Sequence, residues 1–138
     1  MKAITMKSAI VVVLLGLASS VILSSAFAKD KVKVEQVALP AAGKSTIIKG
    51  KIRGDETVDY VFEAEAKRAM QADFKPSNSS CYVNFMQEGK DEALFNGSLS
   101  GDRFKATAAE TGTYRARIYL MRNAARRNAS CSYTLTLR

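Results

Sequence analysis

The chain of 138 residues has no histidine and no tryptophan, and only two cysteines and two prolines. Without histidine there is no Ser-His or Cys-His nucleophile, and no imidazole to bind a metal. The cysteines, Cys81 and Cys131, are too far apart in sequence to form a close zinc-ligand pair. No metal or other cofactor is therefore expected. Also missing are internal repeats, low-complexity linkers and, past the N-terminal segment, any apolar pattern that demands a helix longer than two turns. The carboxylates are outnumbered, with 13 Asp and Glu against 21 Lys and Arg and a formal charge of +8.

One long apolar run is present, at the start. Lys2 and Lys7 precede the apolar stretch Ala9 to Leu23, and Ala26-Phe27-Ala28 supplies small residues two apart. This is the layout of a cleaved export signal covering residues 1–28. The alternative, a single membrane anchor, fits less well. The run is short for a span, Ser19-Ser20 and Ser24-Ser25 interrupt it, and no cationic stop-transfer cluster follows directly. The remaining unit, residues 29–138, suits one domain. Removing Lys2 and Lys7 takes its formal charge from +8 to +6. Such a balance favours anionic partners or simply keeps the domain soluble.

In an exported chain, two cysteines are expected to pair. Cys81 and Cys131 both share the parity of the apolar residues around them, so both should face a core. A bridge between them would restrict the unfolded chain by roughly 4 kcal/mol in the loop-entropy treatment. The alternative is two buried free thiols.

The rest of the chain reads as short strands separated by turn signals. Period-two alternation marks Lys31–Glu35, Thr46–Ile52, Thr57–Ala64, Met70–Phe74, Cys81–Met86, Ala93–Phe95, Asp102–Ala106, Tyr114–Leu120 and Cys131–Leu137. Glu63–Ala72 has helix-forming composition, yet the alternation of Met70, Ala72 and Phe74 favours loop and strand. The second and third strands, joined through Gly54-Asp55-Glu56, are expected to form a hairpin. Asn96-Gly97 reads as a tight turn. Eight or nine such strands predict an all-β fold, a single antiparallel β-sandwich. Tyr60, Tyr114 and Tyr133 fall at inward parity and are expected in the core with their hydroxyls hydrated. Tyr82 and Tyr119 fall outward, where they could frame a sugar or partner surface.

Function is sought first between Met121 and Asn128, where alternation stops and Arg122, Arg126 and Arg127 crowd a short loop or single helical turn. In a helical turn Arg122 and Arg126 lie on one face. Such guanidinium groups suit an acidic partner, or else serve only as a solvated loop guarding a sheet edge. Arg115 and Arg117 read as solvated residues on an open strand face. Asp55, Glu56 and Asp59 are the only carboxylate cluster at a turn, and ordinary turn hydrogen bonding explains it. The sequence thus argues against an enzyme. It argues equally against nucleic-acid binding, for which basic residues should interleave with stacking aromatics along a groove.

Several motifs resemble the periplasmic inhibitors of g-type (goose-type) lysozyme. They are Gly50-Lys51-Ile52-Arg53-Gly54 followed by Asp59-Tyr60, then Gly112-Thr113-Tyr114, then Arg122-Asn123-Ala124-Ala125-Arg126-Arg127-Asn128 and the closing strand with Tyr133. The likeness covers about residues 48–138. It implies a small exported β-sandwich that plugs the substrate cleft of a g-type lysozyme, with Arg122 and Arg126 at the inhibitory surface and Arg127 at its margin. Where that family usually has a tyrosine after the turn glycine, this chain has Asp55, which the resemblance places at a contact position. The alternative is a non-enzymatic sandwich module binding an anionic envelope glycan or polymer.

Overall fold

The computed structural model describes residues 32–138, so the expected export signal lies outside the described residues. Among the described residues nine strands, β1 (Val32–Gln36), β2 (Thr46–Arg53), β3 (Thr57–Ala64), β4 (Ala69–Pro76), β5 (Cys81–Gln87), β6 (Phe95–Asn96), β7 (Arg103–Thr107), β8 (Gly112–Leu120) and β9 (Ser130–Leu137), build two facing sheets. One sheet has the order β1-β3-β8-β5-β6 and the other β2-β9-β4-β7. Every pairing is antiparallel except β1 with β3 at the edge of the first sheet. Two helical turns interrupt the strands, α1 (Gly97–Ser100) and α2 (Arg122–Arg126).

The alternation in the sequence becomes burial. Met70, Ala72 and Phe74 of β4, Tyr114, Ala116, Ile118 and Leu120 of β8, and Cys131, Tyr133, Leu135 and Leu137 of β9 all enter one core. Phe85 and Phe104 stack across the two sheets with ring centroids 3.9 Å apart. Such a pair adds about 0.5–1.5 kcal/mol beyond the area it buries. The Cys81–Cys131 disulfide ties β5 of one sheet to β9 of the other. Both sulfurs are buried, as their parity predicted.

Three sequence expectations are corrected. The segments β2 and β3 are not a hairpin: they lie in different sheets, and Gly54-Asp55-Glu56 carries the chain over the end of the sandwich from one to the other. The turn chemistry is met locally, with the Glu56 amide donating to the Arg53 carbonyl and the Arg53 amide to the Glu56 carboxylate. Those bonds fix the turn but not the partner of each strand. Asn96-Gly97 likewise makes no tight strand turn. The Asn96 carboxamide accepts from the Ser98 amide at 3.1 Å and so caps α1, because its side chain can replace the missing helical acceptor. The core tyrosines, finally, do not keep their hydroxyls for water. Tyr60 and Tyr133 share a buried hydrogen bond of 2.8 Å, and Tyr114 donates to the Glu110 carbonyl at 2.6 Å.

The outer face of the first sheet also departs from expectation. Asp59 does not belong to the turn cluster: it is buried beneath Arg117, which donates to both its oxygens at 2.7 Å, and beside Arg115 at 3.3 Å. Register explains it, since Asp59 lies directly opposite Arg117 and two residues from Arg115. The hydrogen bond to Asp59 holds the Arg117 proton above the ordinary guanidinium range. The two arginines are therefore a lid over a carboxylate rather than free solvated charges.

Candidate functional site

The arginine-bearing loop begins where β8 ends. Met121 leaves the strand with extended backbone, and its amide donates to the Ser80 carbonyl, tying the loop to the β4–β5 turn. One helical turn follows because Ala124 and Ala125 offer a short apolar face: Ala124 is buried and Ala125 packs against the core. The opposite positions, Arg122, Asn123, Arg126 and Arg127, are all exposed. The four-residue spacing of Arg122 and Arg126 places them on one side of the turn, as expected.

The turn is closed by its own sequence. Asn128 adopts a left-handed backbone at φ 56°, a conformation that asparagine tolerates better than most residues. This allows the Asn128 amide to reach the Ala125 carbonyl at 2.9 Å and the Ala129 amide to reach the Ala124 carbonyl at 3.1 Å. The two bonds together are a Schellman cap.

A second segment is docked on that cap. The Gly54 amide donates to the Ala129 carbonyl at 2.9 Å. Gly54 has φ 61°, and a Cβ there would stand 2.9 Å from the terminal carboxamide of Asn128, so glycine is favoured both by conformation and by space. Arg53 adds a bond from Nε to the Asn128 carbonyl at 3.4 Å. With the Asn128 amide turned so that its oxygen faces Arg53, that oxygen accepts from both Nε and Nη2, at 3.2 and 3.0 Å. The disulfide lies just below, at the starts of β5 and β9.

Four of the residues singled out by sequence therefore gather at one end of the sandwich. Arg122, Arg126 and Arg127 project from α2 and its cap, and exposed Asp55 belongs to the turn that docks against them. Arg53 was not singled out, although its place in Arg53-Gly54 beside the turn was the available signal. Tyr82 and Tyr119 lie elsewhere, as cross-strand neighbours on the outer face of the first sheet with ring centroids 6.0 Å apart. Chemically, the α2 end offers exposed guanidinium forks on a braced backbone. A fork of this kind can take a carboxylate through two charge-assisted hydrogen bonds.

Neither a protein-family model nor a curated protein sequence matches the chain. Solved structures do match in fold. Aeromonas hydrophila PliG, a periplasmic lysozyme inhibitor of g-type lysozyme, aligns with a TM-score of 0.64 at 23% identity, over 77% of this chain and 96% of its own. Salmonella Typhimurium PliG, described in the same terms, aligns at 0.58 and 20% identity over 77% and 96%. The pre-peptidase C-terminal domain of a collagenase from Bacillus anthracis aligns equally well, at 0.58 and 20% identity over 77% and 95%. The fold is thus shared with g-type lysozyme inhibitors and with a domain attached to a protease. A shared fold does not by itself assign function.

Proposed function

We propose that this chain is an exported, non-enzymatic inhibitor of g-type lysozyme, which docks its α2 end into the substrate cleft and protects the bacterial cell wall. The observation that carries the reading is the pairing of exposed Arg122 and Arg126 on a helical turn braced by the Asn128 cap and by Gly54. Lysozymes cleave a glycosidic bond with carboxyl groups held in a cleft. Arg122 and Arg126 would engage those carboxylates, with Arg127 and Asp55 at the margin of the contact. Because the loop already holds its shape, little ordering entropy is lost on docking, and a modest interface suffices for tight occlusion. Residues 1–28 would be removed on export, and residues 29–138 would act in the periplasm, where the Cys81–Cys131 disulfide is stable. The fold of PliG supports the reading.

The test is lysis of a cell-wall suspension by a g-type lysozyme in the presence of the mature chain and of Arg122→Ala/Arg126→Ala. Inhibition by the parent that is lost in the double variant, with melting unchanged, is the expected result. Equal inhibition by both proteins would remove these arginines from the site.

A further inference from the structure

One face of the described residues is strongly cationic. Along the outer side of the second sheet, β2 presents Lys49, Lys51 and Arg53, β4 presents Lys75, and β7 presents Arg103 and Lys105; all six are exposed. The carboxylate on these strands that shares the face is Asp73, and it is held by Arg138 and Arg103. Between the two cationic margins runs β9, whose outward residues are Ser130, Ser132, Thr134 and Thr136. Register places Lys49, Thr134 and Lys75 side by side across three strands. With strands about 4.8 Å apart, the Lys49 and Lys75 backbones flank a strip about 10 Å wide at Thr134; the hydroxyl row runs about 20 Å along β9, its Thr136 end lying between Ile47 and Asp73. A depression of about 400 Å³ lies over the middle of this strip, lined by Lys49, Lys75, Ser77, Ser132 and Thr134 together with Gly50, Pro76 and Tyr133.

We infer that this strip binds a linear anionic polysaccharide, laid along β9 with its charged groups between the lysine margins and its hydroxyls on the Ser/Thr floor. Charge complementarity supplies attraction, and the floor supplies hydrogen-bond partners that a sugar chain can use and that a purely ionic surface would not need. An anionic bilayer fits less well, since it calls for inserted apolar groups and no floor, and this face exposes one large apolar residue, Ile47. Lys49, Thr134 and Lys75, the middle of the strip, are not part of α2 or its cap, which the strip meets at Arg53 and Ser130, and the inference does not rest on the inhibitor reading.

The experiment measures binding of the mature protein to polygalacturonate, to neutral dextran and to phosphatidylglycerol vesicles at several salt concentrations. Binding to polygalacturonate, with affinity falling as salt rises and none for dextran, is expected. Lys49→Glu/Lys75→Glu should weaken that binding by about tenfold or more, because two attractive contacts become repulsive. Thr134→Val should weaken it by about threefold, the loss of one hydrogen bond. Lys90→Glu, a charge reversal beyond β5, should leave it within about twofold, and all variants should melt like the parent. Absence of binding at low salt, an equal loss in Lys90→Glu, or binding to vesicles alone would each overturn the inference.

Discussion

The lid over Asp59 makes an asymmetric prediction. Asp59 has 2% of its side chain exposed, whereas Arg117 keeps 37% and Arg115 27%. Replacing Arg117 with Met keeps the aliphatic stem but leaves a buried carboxylate with one remaining bond, from Arg115 at 3.3 Å. Breaking a buried pair from the side that strands the buried charge costs about 3–5 kcal/mol, and Arg115 should hold this case to about 3–4 kcal/mol. Asp59→Asn removes the charge instead. Its oxygen still accepts one bond and the guanidinium groups can turn to water, so about 1–2 kcal/mol is expected. The double variant strands nothing and should cost about 2 kcal/mol less than the sum of the singles. Urea unfolding with the disulfide intact measures all three. In melting terms Arg117→Met should lower Tm by about 12–20 °C. Equal costs for the two single changes, or simple additivity, would refute the reasoning: Arg117 and Asp59 would then contribute to stability independently of each other.

Three other outcomes follow from the core. A Cβ at Gly50 would fall 2.3 Å from the Tyr133 hydroxyl oxygen, so Gly50→Ala should destabilise by about 1–3 kcal/mol, read by thermal melting. Burial raises the Tyr60 and Tyr133 hydroxyls above their ordinary range. The unfolded chain therefore ionises them near pH 10 while the folded chain does not. Their stabilising effect is complete below pH 10 and declines above it, by up to about 1.4 kcal/mol per pH unit for each tyrosine. Tyr60→Phe/Tyr133→Phe should flatten that alkaline decline in pH-dependent unfolding. Replacing both Cys81 and Cys131 with Ala, which releases a 50-residue loop, should cost about 4 kcal/mol in denaturant unfolding.

What the sequence disclosed and what it concealed divide along local and non-local lines. Alternation revealed most strands and their buried faces, from Met70-Ala72-Phe74 to Cys131-Tyr133-Leu135, because burial of one face of a sheet is written into neighbouring residues; it misled at β1, whose Val32 and Val34 are exposed, and at Ala93–Phe95, where the strand is Phe95–Asn96. Between Met121 and Asn128 the sequence left a short loop and a single helical turn open, and burial of Ala124 goes with the turn. Partners distant in sequence were hidden. Nothing between Gly54 and Glu56 tells a hairpin from a passage between sheets, since the same two local bonds serve either. β2 instead pairs along its whole length with β9, far along the chain, and Asn128 and Ala129 receive Gly54 and Arg53 at its end. Asp59 looked like a turn carboxylate because Arg115 and Arg117 stand 56 and 58 residues away. The tyrosine hydroxyls found each other across 73 residues. The cationic strip was half visible in Lys49, Lys51 and Arg53, but only the order β2-β9-β4-β7 brings Lys75, Arg103 and Lys105 to the other side of the hydroxyl row.

Occlusion of a lysozyme cleft by the α2 end is the proposal on which the function turns. Its most direct measurement is a turbidity assay of cell-wall lysis, with the mature chain titrated against a g-type lysozyme and, in parallel, a c-type lysozyme. Saturating inhibition of the g-type enzyme alone, near equal molar ratio and dependent on Arg122 and Arg126, is the expected result. Uninhibited lysis by both enzymes would contradict it, and would leave this fold serving another partner.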